Sequence, residues 1–273
     1  MKFSVTVTPI KPKFSPLVFT GGIMDHLDLI AKLGFDAIEL HIADPATLDR
    51  KALRRALDER RLGISMIGSG LAYGQEGLSW THEDPSIRQR AIQRMKDDID
   101  FGSEYNATLA VGLIRGDLFG DEAKMRQQRQ WMLEGCQQCA HYAEGTGVTL
   151  VVEPINRYEV HYIVNMDQAL DFVKDVDCPS TVGVLADTFH MNIEEPSILE
   201  SIKRAGKLIR HVHLSDSNRW APGFGHLDIP TIVATLQGAG YDHYLSLEVL
   251  PKPAPIEAAT QGITYLKAIL KGQ

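Results

Sequence analysis

The chain is short of the features that mark membrane, secreted or nucleic-acid-binding proteins. Of its 273 residues only three are cysteine, an odd number that makes no disulfide framework. The opening run Met1–Val7 lacks the apolar core and small-residue cleavage site of a signal peptide. No stretch approaches the ~20 consecutive apolar residues of a membrane helix, so a cytoplasmic protein with no membrane partner is expected. Positive charge is scarce too: the net charge of −7 argues against a surface built to neutralise phosphodiester backbones, and no nucleic-acid partner is expected. No G-x-G-x-x-G follows the first apolar run, where Thr8-Pro9-Ile10-Lys11-Pro12 stands instead, which removes the usual dinucleotide turn. Cys136 and Cys139 form a C-x-x-C inside a helical pattern, Trp131 to Tyr142, with no strand before it. They read as structural rather than redox or zinc-binding.

What is present is a steady alternation of strand and helix. Short β-type runs fall at Phe3–Thr8, Ala37–His41, Ile64–Ile67, Thr108–Leu113, Val148–Val152, Val182–Leu185, Leu208–Leu214 and Tyr244–Val249. Helical patterns lie between them at Ile23–Leu33, Asp49–Arg61, Pro85 to about Tyr105, Glu122–Glu144, Met166–Val176, Pro196–Ala205 and Pro230–Gln237, and Pro255–Leu270 closes the chain. The loop regions are Pro9–Gly22 and the glycine-rich Gly68–Gly77. Eight such units with no linker or low-complexity segment predict an α/β fold, one (β/α)8 TIM barrel spanning residues 1–273.

In a barrel the catalytic groups gather at the carboxyl ends of the strands, and here the last four strands end alike. Val148-Thr149-Leu150-Val151-Val152 runs into Glu153 and then Pro154, which cannot extend a central strand. Val182–Ala186 runs into Asp187, Ile209–Leu214 carries His211 and His213 on one face, and Tyr244–Leu247 runs into Glu248. A lone carboxylate at a strand end is usually just a solvated terminus. Four in succession put Glu153, Asp187, His213 and Glu248 around one mouth, where three carboxylates would repel one another without a cation. Three oxygens and one imidazole are a fairly hard donor set, so one divalent metal ion is expected, Mn²⁺ first, with Mg²⁺ or Co²⁺ as alternatives. Arg115 follows the fourth strand directly. Its guanidinium would enter the mouth beside Arg157 and Arg219 and suit a sugar acid or phosphate. Loop aromatics Phe14, Phe19, Tyr73, Trp80 and Trp220 offer material for an apolar lid.

The segments Glu153-Pro154-Ile155-Asn156-Arg157-Tyr158-Glu159, Ala186-Asp187-Thr188-Phe189-His190-Met191-Asn192, His211-Val212-His213 and Ser246-Leu247-Glu248 together resemble the sugar isomerase/epimerase family built on the xylose-isomerase-like barrel. The similarity spans the chain and is most specific from Val148 to Pro251. Gly112-Leu113-Ile114-Arg115-Gly116 and Asp216-Ser217-Asn218-Arg219-Trp220-Ala221-Pro222-Gly223 draw it closer to ketose 3-epimerases and to bacterial 5-keto-L-gluconate epimerases. The resemblance implies a metal-dependent epimerase that inverts the carbon beside the ketone of a keto-sugar or keto-sugar acid through a cis-enediolate. It makes Glu153 and Glu248 the catalytic pair on opposite faces of the substrate, both also metal ligands with Asp187 and His213. It places His190, Arg219 and Glu159 against the substrate, and it implies a homo-oligomer, a dimer or a tetramer. Two rival readings stand beside it: an aldose–ketose isomerase such as hydroxypyruvate isomerase, and a non-catalytic sugar-binding module. A DNA-repair role fits poorly, because the third and fourth strands end in Gly68-Ser69-Gly70 and Gly112-Leu113, with no histidine for extra zinc ions.

Overall fold

The computed structural model describes residues 1–11 and 15–271. Among them nine parallel strands form one sheet: β1 (Lys2–Thr8), β2 (Phe19–Thr20), β3 (Ala37–His41), β4 (Gly63–Gly68), β5 (Thr108–Val111), β6 (Thr149–Val152), β7 (Val182–Asp187), β8 (Ile209–His213) and β9 (Tyr244–Leu247). The order is β2-β1-β3-β4-β5-β6-β7-β8-β9. Pairing of β1 with β9, Lys2 against Tyr244 through Val5 against Leu247, closes eight strands into a barrel. The two-residue β2 only extends the far end of β1, at Val7 and Thr8. This is the (β/α)8 barrel that the alternation predicts.

Among the described residues ten α-helices connect or cover the strands: α1 (Leu27–Leu33), α2 (Arg50–Arg60), α3 (Gly70–Glu76), α4 (Pro85–Ser103), α5 (Glu122–Tyr142), α6 (Met166–Val176), α7 (Thr188–Glu194), α8 (Ile198–Ala205), α9 (Ile229–Gly238) and α10 (Pro255–Lys271). Their starts are written locally. The carboxylates of Asp84, Asp121 and Asp228 and the amide oxygen of Asn165 accept from backbone N–H groups in the first turns of α4, α5, α9 and α6. Pro85 and Pro230 sit where a missing N–H costs nothing. No helix among the described residues is long and apolar enough to cross a membrane.

Two helices depart from the sequence reading. The Gly68–Gly77 segment is not all loop, since α3 occupies most of it; Gly70 and Gly74 interrupt the apolar period that signals a helix. Thr188–Glu194 forms α7 directly behind β7, without a connecting loop, because Asp187 serves both as strand end and as helix cap. Strand β5 also ends at Val111, and Leu113–Arg115 is a short 3-10 turn.

The main core lies between strands and helices, as expected for strands buried on both faces. Inside the barrel the packing divides. Met66, Ala110, Val151 and Leu185, one each from β4 to β7, make a small apolar layer. The opposite wall, from β8, β9, β1 and β3, is buried but polar, with Ser4, Thr6, Glu39, His211, His213 and Ser246. A barrel filled for stability alone would carry branched apolar residues there. The polar wall leads up to the mouth where the site lies.

Candidate active site

Glu153 stands one residue past β6, Asp187 ends β7, His213 ends β8 and Glu248 stands one residue past β9. One donor atom from each lies within 4.8 Å of all the others. His213 Nδ1 is 3.2 Å from Glu153 Oε1, 3.5 Å from Asp187 Oδ2 and 3.4 Å from Glu248 Oε2. All four side chains are buried. Glu153, His213 and Glu248 line a cavity of about 290 Å³ together with Ser15, Gly68, Ser69, Glu159, His190 and Arg219, and Asp187 lies against His213 just behind its wall. A larger open groove of about 730 Å³ between α8 and α9 carries no carboxylate or imidazole.

Whether the four residues suit a metal ion is answered by their unpaired atoms. His213 Nδ1 and Asp187 Oδ2 are both buried without a hydrogen-bond partner. Asp187 divides its work: Oδ1 accepts from the N–H groups of Phe189 and His190 at the start of α7, at 2.7 and 3.3 Å, which turns Oδ2 into the mouth. A ring nitrogen among three carboxylate oxygens demands positive charge, either a proton or a cation. Donors bound ~2.1 Å from one ion at right or tetrahedral angles sit roughly 3.0–3.5 Å apart, which is the spacing found around Nδ1. The residues fit a divalent ion.

The electrostatics point the same way. Burial works against the charge of Asp187, but the imidazoles of His190 and His213 and the Arg219 guanidinium hold its carboxyl well below the usual range. Burial likewise works against Glu153, and His213 outweighs it to lower the carboxyl. At Glu248 burial prevails over His213 and Arg219, and the carboxyl is raised. The two glutamates thus differ in proton affinity while facing one cavity. Gly112 keeps the space beside Glu153: a Cβ there would stand 3.1 Å from Glu153 Oε2.

His190 and Arg219 meet the mouth as expected. The backbone and side-chain amides of Asn156 donate to His190 Nδ1 at 3.3 and 2.8 Å, which leaves the proton on Nε2, 3.7 Å from Asp187 Oδ2 and toward the cavity. Asn156 also donates to Glu159 at 2.9 Å, and Glu159 lies 3.6 Å from Arg219. Arg219 adopts a left-handed backbone (φ 59°), stacks 4.7 Å from the Phe189 ring and donates from Nη2 to Glu248 at 2.8 Å.

Arg115 corrects the sequence reading. The 3-10 turn swings its side chain away from the cavity, and the guanidinium donates to the carbonyls of Gly112, Tyr162 and Ile163 at 2.9, 3.2 and 3.3 Å. It is fully buried, and it braces the loop after β6 rather than touching a substrate. Arg157 is also outside the mouth, exposed and paired with Glu194 at 2.8 Å. Arg219 is the one guanidinium among the described residues lining the cavity. The lid reading is corrected too: Phe19 and Trp80 are core residues, Phe14 lies outside the described residues, and neither Tyr73 nor Trp220 lines the cavity. Cys136 and Cys139 pack in the core, where burial pushes the Cys139 thiol up to about 12.

Beneath the four donors lies a group that strand-end reasoning passed over. Glu39, in the middle of β3, is fully buried and within 2.7 Å of His41 Nε2, 2.9 Å of His211 Nε2 and 3.0 Å of His213 Nε2. Burial opposes its charge, yet the imidazoles hold it well below the usual carboxylate range. Burial lowers His211, against the pull of Glu39. A glutamate inside a strand otherwise made for burial, Ala37-Ile38-Glu39-Leu40-His41, is the signal that could have found it.

The chain belongs to the Xylose isomerase-like TIM barrel family, whose model matches residues 27–269. Its relatives narrow the class. It is 32% identical to a D-psicose 3-epimerase of Ruminiclostridium cellulolyticum over 82% of this chain and 76% of that one. It is 30% identical to the 3-dehydro-D-guloside 4-epimerase of Escherichia coli, over 91% and 95% of the two chains. Among solved structures, a D-allulose 3-epimerase from Methylomonas sp. in complex with D-allulose shares the fold, with a TM-score of 0.83, 22% identity and coverage of 98% and 96%.

Proposed function

We propose that this protein is a carbohydrate epimerase that inverts the carbon next to the ketone of a keto-sugar, by proton removal and return. The observation that carries the reading is the convergence of Glu153, Asp187, His213 and Glu248 on one buried point, with Glu153 and Glu248 reaching it from strands on either side of β7 and β8. The named activities of the relatives agree with it: all three act on sugars, and all three are epimerases.

A divalent ion held by these four residues, Mn²⁺ by preference and Mg²⁺ or Co²⁺ otherwise, would supply the positive charge that makes a C–H beside a ketone acidic enough to lose its proton. Glu153 and Glu248 are the acid–base pair. One takes the proton from one face of the bound sugar and the other returns a proton to the opposite face. His190 Nε2–H and Arg219 stand where they can donate hydrogen bonds to substrate oxygens, and Glu159 orients Arg219. The cavity is of a size for one sugar. With Arg115 turned away, Arg219 is the one guanidinium among the described residues lining the cavity, so neutral keto-sugars and keto-sugar acids such as 5-keto-L-gluconate both belong in the trial. The reading carries with it a cytoplasmic homo-oligomer acting on small molecules.

The test is incubation of the manganese-loaded protein in D₂O with a panel of ketoses, keto-glycosides and keto-sugar acids, followed by NMR. Deuterium entering the carbon beside a retained ketone, with its configuration inverted, is the expected result. An aldehyde product would assign an aldose–ketose isomerase instead. Tight sugar binding without any deuterium would leave a binding module, and the proposal would fall.

A further inference from the structure

The Glu39 cluster lies directly under the four donors, and its geometry says what it does. Each of three imidazoles, His41, His211 and His213, presents Nε2 to the same carboxylate at 2.7–3.0 Å. A carboxylate accepts and cannot donate, so all three Nε2 atoms carry the proton. For His213 this fixes the other nitrogen: Nδ1, unpartnered, is left aimed at Glu153, Asp187 and Glu248. Contacts of 2.7–3.0 Å are hydrogen bonds already made, so the cluster is a buttress, not a second ion site. Its walls are tight. The His41 ring packs directly on Gly68, where a Cβ would stand 2.8 Å from its Cγ, so only glycine there leaves the ring its place against Glu39.

We propose that Glu39 is a positioning residue of the metal centre, which sets the tautomer and the direction of His213 through the Nε2–H bond. It touches neither ion nor substrate. The proposal rests on the metal-site reading above and adds to it a residue from β3, a strand that supplies none of the four donors. Ring nitrogens that bind metals are commonly held this way by a carboxylate on the other nitrogen, and loss of such a partner typically weakens metal binding by about 10–100-fold. Glu39→Gln keeps the shape but can donate as well as accept, so it no longer dictates which nitrogen of His213 holds the proton.

Two measurements decide it. Calorimetric titration with Mn²⁺ should show the Glu39→Gln protein binding at least ~10-fold more weakly than wild type, with Glu39→Asp recovering part of the loss. Long-range ¹H–¹⁵N correlation on histidine-labelled, Mg²⁺-loaded wild type should show the His213 proton on Nε2 and none on Nδ1. That second readout needs no variant to fold. A Glu39→Gln protein that binds Mn²⁺ within twofold of wild type, or a wild-type His213 protonated on Nδ1, overturns the proposal. Failure of wild type to bind any divalent ion would instead remove the metal-site reading, and the Glu39 proposal with it.

Discussion

Arg219 provides the most direct test of the charge balance at the mouth. Its Nη2 lies 2.8 Å from Glu248 and 3.7 Å from Asp187, and the side chains of all three are at most 13% exposed. Replacing it by methionine retains a flexible stem to lie on Phe189 and removes the charge with its hydrogen bond to Glu248. Breaking a buried ion pair from one side costs about 3–5 kcal/mol. The lower figure applies here, because the pair borders a cavity where water relieves part of the penalty. Unfolding entropy near 2.1 cal/mol/K per residue makes about 0.6 kcal/mol/K for a chain of this length, so 3 kcal/mol lowers Tm by roughly 5 °C. The assay is thermal unfolding of Arg219→Met and wild type in EDTA at pH 8 and pH 5. The sign of the pH effect follows from Glu248, whose carboxyl burial already raises. Loss of Arg219 raises it further, so the variant's Glu248 is the more readily neutralised on acidification, and the gap in Tm narrows from pH 8 to pH 5. Melting temperatures within 1 °C at pH 8, or a gap that widens toward pH 5, would refute the reasoning.

Two further outcomes follow from buried carboxylates. Asp98 on α4 is buried with Oδ1 unpartnered, and burial raises its carboxyl well above the usual range despite Arg94 nearby. Its folded pKa exceeds its unfolded one, so stability declines as pH rises from about 4 through the folded value. Asp98→Asn should therefore stabilise the protein by about 1–3 kcal/mol at pH 8 and by almost nothing at pH 4 in urea titrations; an equal gain at both would show that the charge is not the cause. Adding Mn²⁺ to EDTA-treated protein at ~100 times its Kd should raise stability by about 2.7 kcal/mol, or roughly 5 °C. Asp187→Asn, which keeps the Oδ1 cap on α7 but replaces the ligand oxygen, should lose that rise when each protein is compared with its own melting in EDTA; a full rise in the variant would exclude Asp187 from the metal set.

The four residues that converge at the mouth were legible because each ends an apolar strand. Glu153 precedes Pro154, Asp187 precedes a helix start, and His213 and Glu248 close short β-type runs, so a local pattern repeated along the chain marked a shared location. Arg115 shows the limit of that logic. It too follows a strand, but the backbone turns at Leu113–Arg115, and the carbonyls of Tyr162 and Ile163, 47 and 48 residues away, claim its guanidinium. Glu39 shows the opposite failure, since it ends nothing and lies mid-strand.

The sequence by itself determined the barrel and which four polar side chains end its strands at the mouth, because apolar period, helix caps and strand ends are short-range properties that any residue's neighbours reveal. Only the tertiary structure decided which polar groups meet: Glu39 finds His211 and His213 at separations of 172 and 174 residues, through closure of β1 onto β9 and the inward facing of β3 and β8. A buried hydrogen bond between distant strands depends on register and on which face each side chain takes, and no local pattern carries that information.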